Sequence, residues 1–146
     1  MKTVAFLDDW MWVDLVQDRM REVNFRQFNH ADAALEFLMK TPVSCIIIEP
    51  KIAPGLNFSD ETIDDIMAQD HPDYWRIGAY TIDLLRKQSV NTKTPIIAFS
   101  IYAEGDYSFD KVHAAVMQAG ANQWMYKCAS DAYPFGITNA IRQHLS

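Results

Sequence analysis

At 146 residues, 49% of them apolar, the chain has the size of one domain with a buried core. Its formal net charge of −6 argues against direct binding of nucleic acid or an anionic membrane surface, since both need clustered Lys and Arg. No apolar stretch approaches the roughly 18 residues of a membrane span, the N-terminus does not read as a signal peptide, and Cys45 and Cys128 make no disulfide framework, so a cytoplasmic, reduced protein is expected.

Thr3 to Leu7 is a short apolar run, read as a buried strand. From Trp10 to Glu22 the period turns helical, with Val13, Val16 and Met20 on one face. Val23 to Phe28 alternates apolar and polar residues, as an edge or half-covered strand does. His30 to Lys40 sets Ala31, Ala34, Leu35 and Leu38 on one helical face, and Cys45 to Ile48 suits a central strand. The connection that follows, Pro50 to Asp73, is far longer than the usual loop of about 2–6 residues in α/β units. It carries Pro50, Pro54, Gly55 and Pro72 and a run of acids: Asp60, Glu61, Asp64, Asp65, Asp70 and Asp73. Ser59 ahead of Asp60 and Glu61 is a capping sequence for a short helix to about Gln69. The insertion, about 50–73, is either a solvated surface segment or a partner-specific lip beside a ligand crevice. Tyr74 to Gln88 is helical with Gly78, Ile82 and Leu85 inward, and Thr94 to Phe99 is a buried strand opened by Pro95. Phe109 to Ala119 places Val112, Ala115, Val116 and Ala119 at helical spacing, with Gly120 where a C-terminal cap belongs. Ala121 to Tyr126 is a fifth strand, and Asp131 to Leu145 a last helix with Ile137, Ala140, Ile141 and Leu145 inward. Five βα units without an internal repeat predict one domain over 1–146, a parallel sheet with right-handed crossovers and helices on both faces.

Four of these strand-like runs end on polar residues: Asp8 and Asp9, Glu49, Ser100, and Lys127. In an open parallel sheet, ligands bind beyond the carboxyl ends of the strands, so these groups can share one pocket. Adjacent acids, a third carboxylate, a hydroxyl and an ammonium suit a divalent cation and a phosphoryl group. Glu49 is the odd member, because that chemistry usually has Asp there. Plainer readings stand beside this one. Asp9 before Trp10 also suits an N-cap. Lys127, ending a buried strand, is expected to pair with Glu49 or Asp9. Trp10 and Trp12 read as helix-packing aromatics, and Cys128 as a passive small side chain. His30, His71, His113 and His144 lack ligand spacing, and there is no G-x-S-x-G elbow, P-loop or G-x-G-x-x-G.

VAFLDDW, CIIIEPKIAPG, TPIIAFS and AGANQWMYK, in this order, resemble the receiver domain of two-component response regulators, and the resemblance covers essentially the whole chain. It implies a flavodoxin-like (βα)5 three-layer sandwich with a parallel sheet of order 2-1-3-4-5. It implies Asp8 and Asp9, with Glu49, as ligands to Mg2+, and Glu49 at the phospho-acceptor position. Ser100 and Lys127 become the hydroxyl and the ammonium that steady the transferred group. Trp124, three residues before Lys127, falls at the position of the switch aromatic. The implied partners are a histidine kinase, a phosphotransfer protein or a downstream target, and a second copy through the fourth helix, fifth strand and fifth helix (109–119, 121–126 and 131–145).

This sequence departs from the family pattern at four places. Glu49 is one methylene longer than Asp, roughly 1.5 Å of extra reach, and a shift of about 1 Å in an in-line site costs a hundredfold in rate. Its carboxylate is placed to approach Lys127 directly and resemble a phosphorylated aspartate, or else to be a neutral leftover. Ile101 follows Ser100 where the family has a small residue, Cys128 replaces the proline after the lysine, and Pro50 opens a long loop. The expectation is an atypical, stand-alone receiver domain, a pseudo-receiver and not an enzyme. It would signal by protein–protein interaction, with phosphorylation at Glu49 absent or weak and Trp124 a fixed packing aromatic. One alternative is a receiver that still accepts a phosphoryl group with Mg2+. Another is a flavodoxin-like cofactor carrier, disfavoured because DDWMWVD lacks the small residues that cradle a flavin phosphate.

Overall fold

In a computed structural model that describes residues 1–9, 13–67, 76–106, 108–129 and 135–145, the apolar runs become β1 (Lys2–Leu7), β2 (Val23–Phe28), β3 (Cys45–Ile48), β4 (Ile96–Ser100) and β5 (Gln123–Tyr126). The described helices are α1 (Val13–Arg19), α2 (Ala31–Leu38), α3 (Asp60–Met67), α4 (Arg76–Gln88), α5 (Phe109–Ala119) and α6 (Ile137–Leu145). All strand pairings are parallel, and the order is β2-β1-β3-β4-β5. This is the flavodoxin-like arrangement that the family resemblance implies. β3 is central and buried throughout, while β2, at the edge, alternates from Val23 to Arg26 and then exposes Gln27 as well.

Alternate residues of each strand feed two cores, because successive side chains point to opposite faces. Ala5, Leu7, Ile46, Ile48, Ile96 and Ala98 pack with α2, α4 and α5. Val4, Phe6, Cys45, Ile47, Ile97 and Phe99 pack with α1 and α6. Full burial of each Ile or Leu contributes roughly 1.5–3 kcal/mol, so the strands are held firmly enough to fix what projects from their ends. No helix among the described residues is long and apolar enough to cross a membrane.

β4 runs Ile96–Ser100 against the expected Thr94 to Phe99, α2 runs Ala31–Leu38 against His30 to Lys40, and two further boundaries differ where side chains bind backbone. The first helix ends at Arg19, not Glu22. The Gln17 amide donates to the carbonyls of Met20 and Val23 and accepts from Phe25 N–H, which ties the chain into the turn that enters β2. β5 begins at Gln123 instead of Ala121, because Asn122 Oδ1 accepts the Ile96 N–H at 2.8 Å in place of a ladder bond. Residues 10–12, 74–75 and 131–134, assigned to helices from the sequence, lie outside the described residues.

The long connection after β3 holds α3. Ser59 caps it, its hydroxyl accepting the Thr62 N–H at 3.0 Å, and Asp60 and Glu61 sit in the first turn where the helix dipole favours them. Its expected end near Gln69 lies outside the described residues. Ahead of α3 the loop lies against the start of α2: Ala31 and Asp32 donate their N–H groups to the carbonyls of Ala53 and Pro54. The Asp32 carboxylate accepts from Asn57 N–H at 2.9 Å.

Candidate functional site

The strand order places a topological switch point between β1 and β3, the position where open α/β sheets form a crevice. Leu7 pairs with Ile48, so the next residues of the two strands, Asp8 and Glu49, emerge side by side. Glu49 N–H donates to Leu7 O at 3.0 Å and Asp8 N–H to Phe28 O at 3.0 Å, which extends the ladder by one step on each side. Ser100 pairs with Tyr126, and Lys127 N–H donates to Ser100 O at 2.7 Å. Asp8, Asp9, Glu49, Lys51, Ile101 and Lys127 line one cleft of about 290 Å3.

Within it, Lys127 Nζ lies 2.5 Å from Asp8 Oδ2 and 2.7 Å from Glu49 Oε2. The three residues are 4%, 2% and 6% exposed, so these contacts are barely screened by solvent. The second Glu49 oxygen, Oε1, accepts the Lys51 N–H at 3.1 Å. Both oxygens of the Glu49 carboxylate therefore accept hydrogen bonds. The Phe99 ring, its centroid 5.5 Å from Nζ, closes the apolar side of the ammonium. Burial pushes the Asp8 carboxyl up to about 6 against the pull of Lys127, and the Glu49 charge and a hydrogen bond with Asp9 push it the same way.

Sequence reasoning paired Lys127 with Glu49 or Asp9; the second partner is Asp8, and Asp9 is exposed. Asp8 still belongs to the pleat and turns inward, so its neighbour faces out. Ser100 is fully buried, and its hydroxyl accepts the Tyr102 N–H at 3.0 Å. Ile101, 45% exposed, stands at the cleft instead. Trp124 is half-buried on the α5 side, edge-on to Phe109 with centroids 5.5 Å apart and beside His113 at 5.3 Å.

Two contributors escaped the sequence reading. Lys51 acts on Glu49 through its backbone amide, which no side-chain pattern signals. Gly78 of α4 brings its N–H within 3.0 Å of Pro50 O, and a Cβ there would sit 2.5 Å from Pro50 Cα. That close approach sets the path of the chain just after Glu49, and the inward Gly78 was its only trace in the sequence.

Among the described residues, no group of three or more His, Cys, Asp or Glu side chains is gathered as a metal site. Asp8, Asp9 and Glu49 all line the cleft, and carboxylate oxygens are the hard donors Mg2+ takes, while Lys127 holds one oxygen of Asp8 and one of Glu49.

No protein-family model and no curated protein sequence matches the chain. Solved structures do. A signal receiver domain of a two-component histidine kinase from Clostridium thermocellum superposes with a TM-score of 0.69 at 14% identity, over 99% of this chain and 98% of that one. The receiver domain of a sensor histidine kinase from Pseudomonas aeruginosa, with magnesium in its active-site cleft, gives 0.66 at 13% identity, over 99% and 97%. A response regulator from Thermotoga maritima in complex with Mg2+ and BeF gives 0.62 at 16% identity, over 99% and 100%. At these identities the likeness is one of fold, and the chain has, over nearly its whole length, the fold of response regulator receiver domains.

Proposed function

We propose that this chain is a receiver-like signalling module that works by binding protein partners, with its phosphoryl-transfer site held closed by Glu49. One observation carries the reading: Glu49 Oε2 lies 2.7 Å from the Lys127 ammonium, which also holds Asp8. In phosphoryl transfer the lysine has to meet an oxygen of the incoming group while the acceptor carboxylate attacks in line. Here the longer side chain takes that place itself. Attack by Glu49 means giving up a buried, charge-assisted hydrogen bond, and Ile101 narrows the entrance.

Mg2+ belongs to this reading through Asp8, Asp9 and Glu49, where it would neutralise the excess of carboxylate charge. The magnesium in the cleft of the Pseudomonas aeruginosa domain supports that assignment. Ser100 and Trp124 are the proposed hydroxyl and switch aromatic, both packed. The partners are a histidine kinase, a phosphotransfer protein or a downstream target in the cytoplasm. A second copy, meeting α5, β5 and α6, is a further one.

Intact-protein mass after incubation with acetyl phosphate and Mg2+ tests this. The natural chain is expected to gain nothing, and Glu49→Asp to gain one base-labile phosphoryl group. A phosphoryl group on the natural chain at Glu49 would instead make it a working phospho-acceptor.

A further inference from the structure

Away from the cleft, α3, α4 and α5 enclose a groove of about 590 Å3. Each helix contributes residues at the three- and four-residue spacing of one face. Ala79 of α4 and Ala115 and Ala119 of α5 are half-buried and small, and Ile66 of α3 adds an apolar wall. Asp65 of α3 and Asp83 of α4 carry carboxylates along the same groove. Arg76, at the start of α4, also lines it. The lining runs along α4 from Arg76 to Asp83, about 10 Å or two helical turns at 1.5 Å per residue.

The geometry points to this groove as the docking site for a short basic amphipathic helix of a protein partner. The assignment rests on the reading of the chain as a partner-binding module and adds the chemistry of the partner. Small side chains let a helix backbone approach closely, and a groove between helices takes a helix by its apolar face. Charge complementarity chooses the flanks. Asp65 calls for Lys or Arg, and the exposed acids of α3, Asp60, Glu61 and Asp64, extend the same negative field, whereas Asp83 is already held by Lys87 at 2.9 Å. A partner of this length buries a small area, so the contact is weak and exchanges quickly.

The test uses the full chain and a fluorescent helical peptide of Leu and Lys, with its Leu and Glu counterpart as control, at physiological ionic strength. Anisotropy is expected to show binding of the basic peptide only. Asp65→Lys with Asp83→Lys should weaken it at least tenfold. Asp18→Lys with Glu36→Lys, the same change of net charge at exposed acids that do not line the groove, should leave affinity within twofold. Ala79→Trp, which fills the groove without changing charge, should abolish binding while the melting curve stays cooperative. Equal losses in the two charge-reversal pairs, or unchanged binding by Ala79→Trp, would overturn the assignment. Running the peptide against Glu49→Asp as well keeps the two readings apart, since groove binding does not depend on whether position 49 accepts a phosphoryl group.

Discussion

Lys127 sits between two buried carboxylates, and each depends on it. Taking one partner out of a buried ion pair leaves a charge without compensation, which costs about 3–5 kcal/mol. Lys127→Met is therefore expected to lower the urea-unfolding free energy by about that much at pH 8, with the deficit shrinking as Asp8 protonates at acid pH. Asp8 has the opposite character. Its folded pKa of about 6 lies above the ordinary 3.8, so protonated Asp8 favours the fold. That contribution is complete below about pH 4 and is lost as pH rises through 6, roughly 2–3 kcal/mol in all. Asp8→Asn should remove this decline, which unfolding free energies of both proteins from pH 4 to 7 would reveal. An identical pH slope in the two would mean that burial does not penalise the Asp8 charge. The site residues were legible because each ends an apolar run. The choice of Asp8 over Asp9, and the turning of the Ser100 hydroxyl onto the Tyr102 amide, depend on loop backbone that side-chain pattern does not encode.

At the scale of elements, position 78 joins α4 to the loop that leaves Glu49. A methyl group there would meet Pro50 Cα at 2.5 Å and Pro50 O at 2.6 Å, both backbone atoms. Overpacking of this kind costs about 1–3 kcal/mol. Gly78→Ala should lower the melting temperature and move the amide signals of Pro50's neighbours, Glu49 and Lys51, in NMR spectra. An unchanged melting temperature would mean that α4 can retreat freely. β2, β3 and α5 have the bounds their sequences suggest, since turn residues flank clean periodic runs. α1 and β5 do not, because Gln17 and Asn122 satisfy backbone groups that periodicity assigns to a helix turn or a ladder. A fixed network at the far end of the sheet was equally invisible in the sequence. Buried Asn91 binds the carbonyls of Leu38 and Thr41 and accepts from Val43 N–H, joining α4's exit to the α2–β3 turn.

For the molecule as a whole, a strand order with its switch point at β1 and β3 gathers groups from distant parts of the chain into one cleft. The same order would serve a working phospho-acceptor equally well. What separates the two is whether Glu49 and Lys127 are already joined. Beryllium fluoride with Mg2+, which completes a phosphoryl-like group on a free acceptor carboxylate, tests that contact in solution. With Mg2+ already present, amide spectra of the natural chain should stay unchanged when beryllium fluoride is added, while Glu49→Asp should shift at Ser100, Trp124 and Lys127. Equal shifts in the natural chain would show that Glu49 leaves Lys127 readily, and would contradict a site closed by its own glutamate.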